Sequence, residues 1–243
     1  MAAEAPVTHA GTSLTAGAPP TPVPNWDAMP DRIGEPWWSA AARRARDVTG
    51  AAIVLLFLSP VMAVIAIAVR LSSPGPALFR QQRIGRGMRP FTVLKFRTMW
   101  TDSDAAAHRE YVSGLIAGTP DGPRQGLYKL AGDDRVTGIG RSLRRWSLDE
   151  LPQLWNVLRG DMSLVGPRPV IAYEVERYPE WYFDRFRVRP GMTGLWQVSG
   201  RNERTYEEMV SFDVEYALTT TLRGDCVILF KTLWVVVARR GVA

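Results

Sequence analysis

The stretch Val48-Thr-Gly-Ala-Ala-Ile-Val-Leu-Leu-Phe-Leu-Ser59-Pro60-Val-Met-Ala-Val-Ile-Ala-Ile-Ala-Val69 decides the fold. Its 22 residues carry no charge. As a helix rising ~1.5 Å per residue they extend about 33 Å, enough to cross a bilayer core of about 30 Å. Two features count against a straight crossing. Pro60 lacks an amide and its ring meets the carbonyl of Leu56, so the helix is expected to break or kink there, with Ser59 placed to satisfy a freed carbonyl. Arg43, Arg44 and Arg46 precede the segment, and Arg70, Arg80, Arg83, Arg86 and Arg89 follow it. Both flanks therefore carry the charge expected of a cytoplasmic side. A helix-break-helix over 48–69 that enters one leaflet and returns satisfies both features. Residue physics alone leaves a kinked span open, because membrane helices tolerate proline. From Arg43 to Met99 there are ten basic residues against one acid, Asp47. Such a belt beside an apolar anchor suits an anionic lipid surface.

Composition bounds the remainder. A chain of 243 residues supports one compact domain with appendages. Residues 1–36 hold seven of the 18 prolines among Ala, Thr and Gly without an apolar period, so a disordered tail is expected before a domain over 37–243. The tail lacks the residue order of a cleaved secretory signal. The single cysteine, Cys226, excludes an internal disulfide, and His9 and His108 leave no Cys/His zinc cluster. A metal would have to be held by carboxylates and phosphates, which points to magnesium or manganese. The net charge of +6 favours anionic partners without choosing among nucleic acid, phospholipid and sugar nucleotide.

A second informative run, Arg145 to Pro169, reads as a phosphate-handling site. Leu151, Leu154, Trp155 and Leu158 recur at helical spacing, predicting an amphipathic helix that ends at Gly160 and buries this stripe. Its start has two solutions: Ser147 with Glu150 as a capping box, or Pro152 at the first helical position. Either leaves Asp149 and Glu150 within about one turn of a helix N-terminus, where the dipole favours an ionised carboxylate and an anionic substrate. Acidic residues are common in first turns as mere dipole partners. Arg168, however, lies between Pro167 and Pro169, which hold it in a rigid extended turn, and its planar fork suits bidentate phosphate binding.

Other segments supply candidates of lower specificity. Phe91 to Met99 alternates as a strand, with Lys95 and Arg97 on one face and Leu94 and Phe96 on the other; solvated edge charges are the plain alternative. Residues 101–126 are polar, with a short helix expected around Ala105 to Leu115. Arg141, Arg144 and Arg145 read as a helix C-terminus. Arg189 to Asn202 is punctuated by glycines whose backbone can approach a ligand closely. Val227 to Val237 is apolar but interrupted by Lys231 and too short to span, so a core or interfacial helix is expected.

SLDELPQLWNVLRGDMSLVGPRP (147–169), with KFRTM (95–99) upstream and RPGMTGLWQVSGRN (189–202) downstream, closely resembles the bacterial sugar transferase family of monotopic phosphoglycosyl transferases. The resemblance runs from Arg43 to the C-terminus. It implies an α/β, mostly helical fold: a monotopic membrane protein with a re-entrant helix broken at Ser59-Pro60, interfacial amphipathic helices and a small cytosolic catalytic domain. It further implies transfer of a sugar-1-phosphate from a UDP-sugar to undecaprenyl phosphate at the bacterial cytoplasmic membrane, with the active site facing the cytoplasm. This would initiate exopolysaccharide, capsule or related glycan synthesis. The implied roles are Asp149 as nucleophile and Glu150 as both catalytic and Mg2+-binding. Lys95, Arg144, Arg168 with Pro169, Arg201 and Asp213 would bind substrate. Where relatives read Asp-Pro-Arg, this chain reads Asp133-Asp134-Arg135, which places the local turn in doubt. The resemblance leans towards a hexose such as galactose or glucose, and the residues themselves do not select the sugar. A noncatalytic basic membrane scaffold is the alternative from another class; it accounts for the anchor and charge but not for the ordered dyad and Gly-Pro-Arg-Pro turn. Nucleic acid is not an expected partner, since the charge lies beside the apolar segment instead of on a recognition helix. Inner-membrane phospholipids are expected partners. A homo-oligomer is left open.

Overall fold

The structure, a computed structural model, describes residues 36–101, 106–116, 134–200, 204–219 and 221–237. The tail before residue 36, Asp133, and Arg201 with Asn202 lie outside the described residues. The architecture is mostly helical around two small sheets. Helix α1 (Trp37–Ser72) leads into an antiparallel hairpin of β1 (Leu78–Ile84) and β2 (Pro90–Phe96), in which Phe79 faces Lys95. Next come α2 (Ala106–Ile116), α3 (Gly138–Arg145) and α4 (Gln153–Arg159). Strand β3 (Ser163–Val165) pairs in parallel with β4 (Gly191–Thr193) across short α5 (Ala172–Val175) and a 3-10 helix over Glu180–Arg187. Helices α6 (Leu195–Val198), α7 (Tyr206–Thr219) and α8 (Leu222–Val237) complete the described chain.

Helix α1 runs through Pro60 as one helix, without the interruption expected there. Ser59 nonetheless does what its position suggested: its Oγ donates to the Leu56 carbonyl at 3.0 Å, the acceptor that an amide at position 60 would have served.

The packing of α1 defines its relation to the rest of the molecule. Ala51, Val54 and Leu55 pack with Val93 of β2, Leu154 and Val157 of α4, and Met162. Further along, Met62, Ile65, Ala66 and Val69 pack with Phe96 and with Leu143 of α3. The face turned away leaves Leu56, Phe57, Val64 and Ile67 more than half exposed. A helix apolar all round is thus half core and half unpartnered surface.

Both ends of α1 are fastened to the same body. At the N-terminal end, the Arg44 guanidinium donates to the Val157 and Leu158 carbonyls at 2.6 and 2.7 Å, in the last turn of α4. Asp47 accepts from Ser163 Oγ at 2.6 Å and from the Leu164 amide. Asp225 of α8, fully buried, accepts from Arg43 and Arg46 at 2.9 and 2.8 Å and from the Tyr216 hydroxyl of α7. At the C-terminal end, Arg97 donates to the Val69, Ser73 and Pro74 carbonyls. Arg97 is therefore the cap of α1, and neither the solvated edge charge nor the ligand-facing neighbour of Lys95 suggested by strand alternation.

Elsewhere the periodic segments form much as expected. The short helix expected around Ala105 to Leu115 is α2. The arginine-terminated helix is α3, whose N-terminus Thr137 caps by accepting the Gly140 amide at 3.0 Å. Helix α8 buries Ile228 and exposes Val227, Phe230, Leu233 and Trp234. The stripe assigned to α4 forms except at Trp155, since Leu151 and Leu158 pack beside Leu154. Leu154 and Val157 are buried with Gln153 and Asn156, whereas Trp155 is about half exposed. The helix spans only seven residues, so its orientation is set by two neighbours, α1 and β2, and not by an apolar period of its own.

Candidate functional site

The carboxylate pair sits on the link between α3 and α4. After α3, Ser147 adopts a left-handed conformation with φ 55°. This is uncommon for a residue other than glycine, and where it persists the surroundings have to hold it. It turns the chain into a 3-10 helix over Leu148–Glu150, and α4 begins only at Gln153, with Pro152 preceding it. The Ser147 side chain makes no capping bond, so the capping-box solution is not realised. Glu150 instead accepts from Lys95 Nζ at 2.6 Å, joining the dyad to β2.

Asp149 is 8% exposed. Burial pushes its carboxyl above the ordinary range; Lys95 pulls it back, Glu150 pushes it further up, and Arg144 pulls it back again. The dyad lies in a 3-10 turn about one helical turn before α4, and desolvation is the largest influence on Asp149. The result is a poorly hydrated carboxylate between two cationic side chains, suited to attack on an anionic phosphorus centre.

Lys95, Arg144, Asp149 and Glu150 thus converge in one cluster. Arg144 is aimed by Thr98, whose Oγ1 accepts from its Nε at 2.9 Å. The strand beneath Lys95 is held by Asn156. Its side-chain oxygen accepts the Leu94 amide at 3.1 Å and its side-chain nitrogen donates to the Thr92 carbonyl at 2.7 Å. A side chain of α4 therefore stands in for a third strand along the free edge of β2. Sequence reading missed this residue, because a lone Asn inside a helix gives no local sign that its partners lie more than sixty positions away.

A second cluster surrounds the Gly166-Pro167-Arg168-Pro169 turn. Gly166, Gly191 and Gly194 are packed backbone to backbone, and a Cβ on any of them would collide with the neighbouring main chain. Of the glycines in 189–202 expected to approach a ligand, Gly191 and Gly194 serve close packing against Gly166 between the ends of β3 and β4. The Pro169 carbonyl accepts from Arg83 at 3.1 Å and the Val170 carbonyl from the Ile84 amide at 2.8 Å, which ties the turn to β1, the partner of the strand bearing Lys95. The Arg168 carbonyl accepts from Arg185 at 3.1 Å. Asp213, 1% exposed, lies against Arg185 in a buried ion pair. Burial pushes its carboxyl up to about 6, against the pull of Arg185 and of the Arg168 amide and guanidinium. Arg185 and its neighbours Tyr178, Tyr206 and Glu174 had no motif to mark them. Their fully buried polar atoms are a tertiary signal.

Among the described residues no three His, Cys, Asp or Glu side chains converge, so an all-protein metal cage is absent there. The Asp149 and Glu150 carboxylates are oxygen donors of the kind a divalent ion takes when substrate phosphates complete its shell. A long helix with an exposed apolar face, joined to a carboxylate dyad with two cations beside it, is compatible with an enzyme that handles phosphates at a membrane.

Residues 38–239 match the bacterial sugar transferase family model, and the chain belongs to that family. It is 43% identical over 202 residues to the exopolysaccharide production protein ExoY of Rhizobium meliloti (strain 1021), covering 82% of this chain and 87% of that protein. It is 43% identical over 201 residues to the undecaprenyl-phosphate galactose phosphotransferase of Salmonella typhimurium, of which it spans 41%. It is 44% identical over 200 residues to the UDP-glucose:undecaprenyl-phosphate glucose-1-phosphate transferase of Caulobacter vibrioides, of which it spans 68%.

Proposed function

We propose that this chain is a phosphoglycosyl transferase that moves a hexose-1-phosphate from a UDP-sugar to undecaprenyl phosphate and releases UMP. The observation that carries this reading is the nearly buried Asp149 held between Lys95 and Arg144 beside a Glu150 already paired to Lys95. A carboxylate oxygen of Asp149 attacks the β-phosphorus of the donor, and the bond from that phosphorus to the bridging oxygen breaks, UMP leaving with the electron pair. A phosphate oxygen of undecaprenyl phosphate then attacks the phosphosugar on Asp149. The acyl-phosphate bond breaks, the polyprenyl diphosphosugar departs and the carboxylate is restored. Lys95 and Arg144 offset the negative charge that gathers around the first displacement. Arg168 grips a donor phosphate through its fork, and Arg201, outside the described residues, serves the nucleotide phosphates. Asp213 acts from beneath the turn and not on substrate, since it is buried against Arg185. Glu150 would hold Mg2+ together with donor phosphate oxygens, and the ion would supply charge neutralisation. The relatives named for galactose and glucose transfer support a hexose donor, and the ExoY likeness supports a role in exopolysaccharide initiation.

The membrane arrangement belongs to the same reading. The exposed apolar face of α1, with that of α8, meets inner-membrane phospholipids. That both ends of α1 are fastened to one body supports placing both on the cytoplasmic side, with Pro60, which lacks an N–H, as the point at which the helix would bend within the leaflet. The active site then faces the cytoplasm, where UDP-sugars are made. The deciding experiment is brief exposure to donor without lipid acceptor. Mass spectrometry is expected to place the phosphosugar on Asp149, accompanied by a burst of UMP, and Asp149→Asn is expected to lose both. UMP released only when acceptor is present, with no adduct, would replace this reading with a direct ternary displacement.

A further inference from the structure

We infer that Arg185 is a positioning residue for donor binding: it holds the main chain of Arg168 so that the Arg168 fork meets the donor diphosphate in one orientation. The inference rests on the proposed role of Arg168 as a phosphate ligand and deepens it.

Arg185 is 1% exposed and lies on the 3-10 helix over Glu180–Arg187. Its guanidinium serves three partners at once. One nitrogen donates to the Arg168 carbonyl at 3.1 Å and to Asp213, and the other donates to the Tyr178 hydroxyl at 3.1 Å. Tyr178 shares a 2.6 Å hydrogen bond with the Tyr206 hydroxyl, which donates to the buried carboxylate of Glu174 at 3.0 Å. Glu174 in turn accepts the Ile171 amide at 3.1 Å, just past the turn. The network therefore leaves the turn at the Arg168 carbonyl, passes through two tyrosines of which Tyr206 belongs to α7, and returns to the chain three residues later.

A buried ion pair is a poor source of stability, because desolvating both charges offsets most of their attraction. What this one supplies is geometry. Prolines at 167 and 169 bias Arg168 to extended backbone, and the Gly191 amide holds the Pro167 carbonyl at 2.8 Å, but the peptide plane that follows Arg168 can still tilt. The Arg185 bond to the Arg168 carbonyl and the Arg83 bond to the Pro169 carbonyl remove that freedom. A phosphate-binding fork is sensitive to such freedom, since a displacement of about 1 Å from the productive geometry can cost on the order of 100-fold in rate.

The test is a double-mutant cycle in detergent or nanodiscs, with donor KM, acceptor KM and thermal midpoint measured for each protein. Arg185→Lys keeps the positive charge against Asp213 but cannot present a planar fork to three partners. It is expected to raise donor KM about 10-fold with acceptor KM within 2-fold of wild type. In an Arg168→Ala background the same substitution is expected to change donor KM less than 2-fold. An equal rise in donor KM in both backgrounds, or a parallel rise in both KM values, overturns the positioning role. If Arg168→Ala alone leaves donor KM unchanged, the phosphate-ligand reading fails first and takes this inference with it. Should Arg185→Lys not fold, Tyr178→Phe removes one guanidinium partner without disturbing the ion pair. It enters the same cycle, where non-additivity with Arg168→Ala supports the role and additivity overturns it.

Discussion

Replacing Asn156 by leucine isolates one structural device without touching any group that meets substrate. The side chains are similar in volume, so little cavity is created, but both bonds to β2 are lost. The Leu94 amide and the Thr92 carbonyl are then left without the partners they have in the wild type, beneath a position that is fully buried. An orphaned buried polar group costs about 1–3 kcal/mol, so two cost roughly 2–6 kcal/mol. The added apolar contact offsets about 1–2 kcal/mol of this, which leaves a net loss centred on roughly 2.5 kcal/mol. For a domain of this size each kcal/mol lowers the thermal midpoint by about 2–4 °C, so a fall of roughly 5–10 °C is expected. Intrinsic-fluorescence melts of the purified protein in one detergent measure it. Turnover below the melting range is also expected to fall, because the strand that aims Lys95 at Glu150 loses its outer support. A midpoint within 2 °C of wild type would falsify the strand-surrogate role of Asn156.

The remaining predictions address topology, metal and pH. With Cys226 replaced by serine, cysteines introduced as Ala40→Cys and Arg80→Cys are both expected to react with a membrane-impermeant maleimide only after the cytoplasmic side is opened; periplasmic labelling at position 40 would sink the re-entrant arrangement. Pro60→Ala restores an amide and removes a ring clash, so it is expected to straighten α1 and move a measurable fraction of molecules towards periplasmic labelling at one end. Glu150→Gln is expected to lower turnover by two orders of magnitude or more while partly recovering as Mg2+ is raised, a recovery Asp149→Asn does not share; equal recovery in both would remove the metal role from Glu150. Asp213 is held near 6 in the folded protein against 3.8 ordinarily. Between these values the folded state binds more protons than the unfolded state, so this group's contribution to stability falls as pH rises from about 4 to about 6. Urea midpoints across that window are expected to flatten in Asp213→Asn, and an unchanged slope would refute the assignment.

Much of this protein was legible in its residues because the relevant forces are local. The apolar run ending at Val69, the turn of chain after Gly160, the arginine-terminated α3 and the amphipathic α2 each follow from hydrogen bonding and side-chain periodicity within a few positions. The Asp149-Glu150 pair and the proline-bracketed Arg168 could be singled out for the same reason, since their chemistry and constraint are visible in neighbouring residues. Tertiary structure alone decided which of several equivalent-looking groups was used, and for what. Arg97 alternates with Lys95 along one strand, yet the carbonyls at the end of α1 lie within its reach and it caps them. Trp155 shares a helical period with Leu151 and Leu158, yet α1 and β2 together leave it outside the buried face of a helix too short to select its own. Asp149 was placed near a helix start by its sequence, but only packing removed water from it and pushed its carboxyl up. Asn156 and Arg185 were silent in the sequence, because a hydrogen bond to a strand or turn far along the chain leaves no local trace. The physical reason is common to all five. Periodicity and propensity act over one or two turns, whereas burial and long-range partners exist only after the chain has closed on itself.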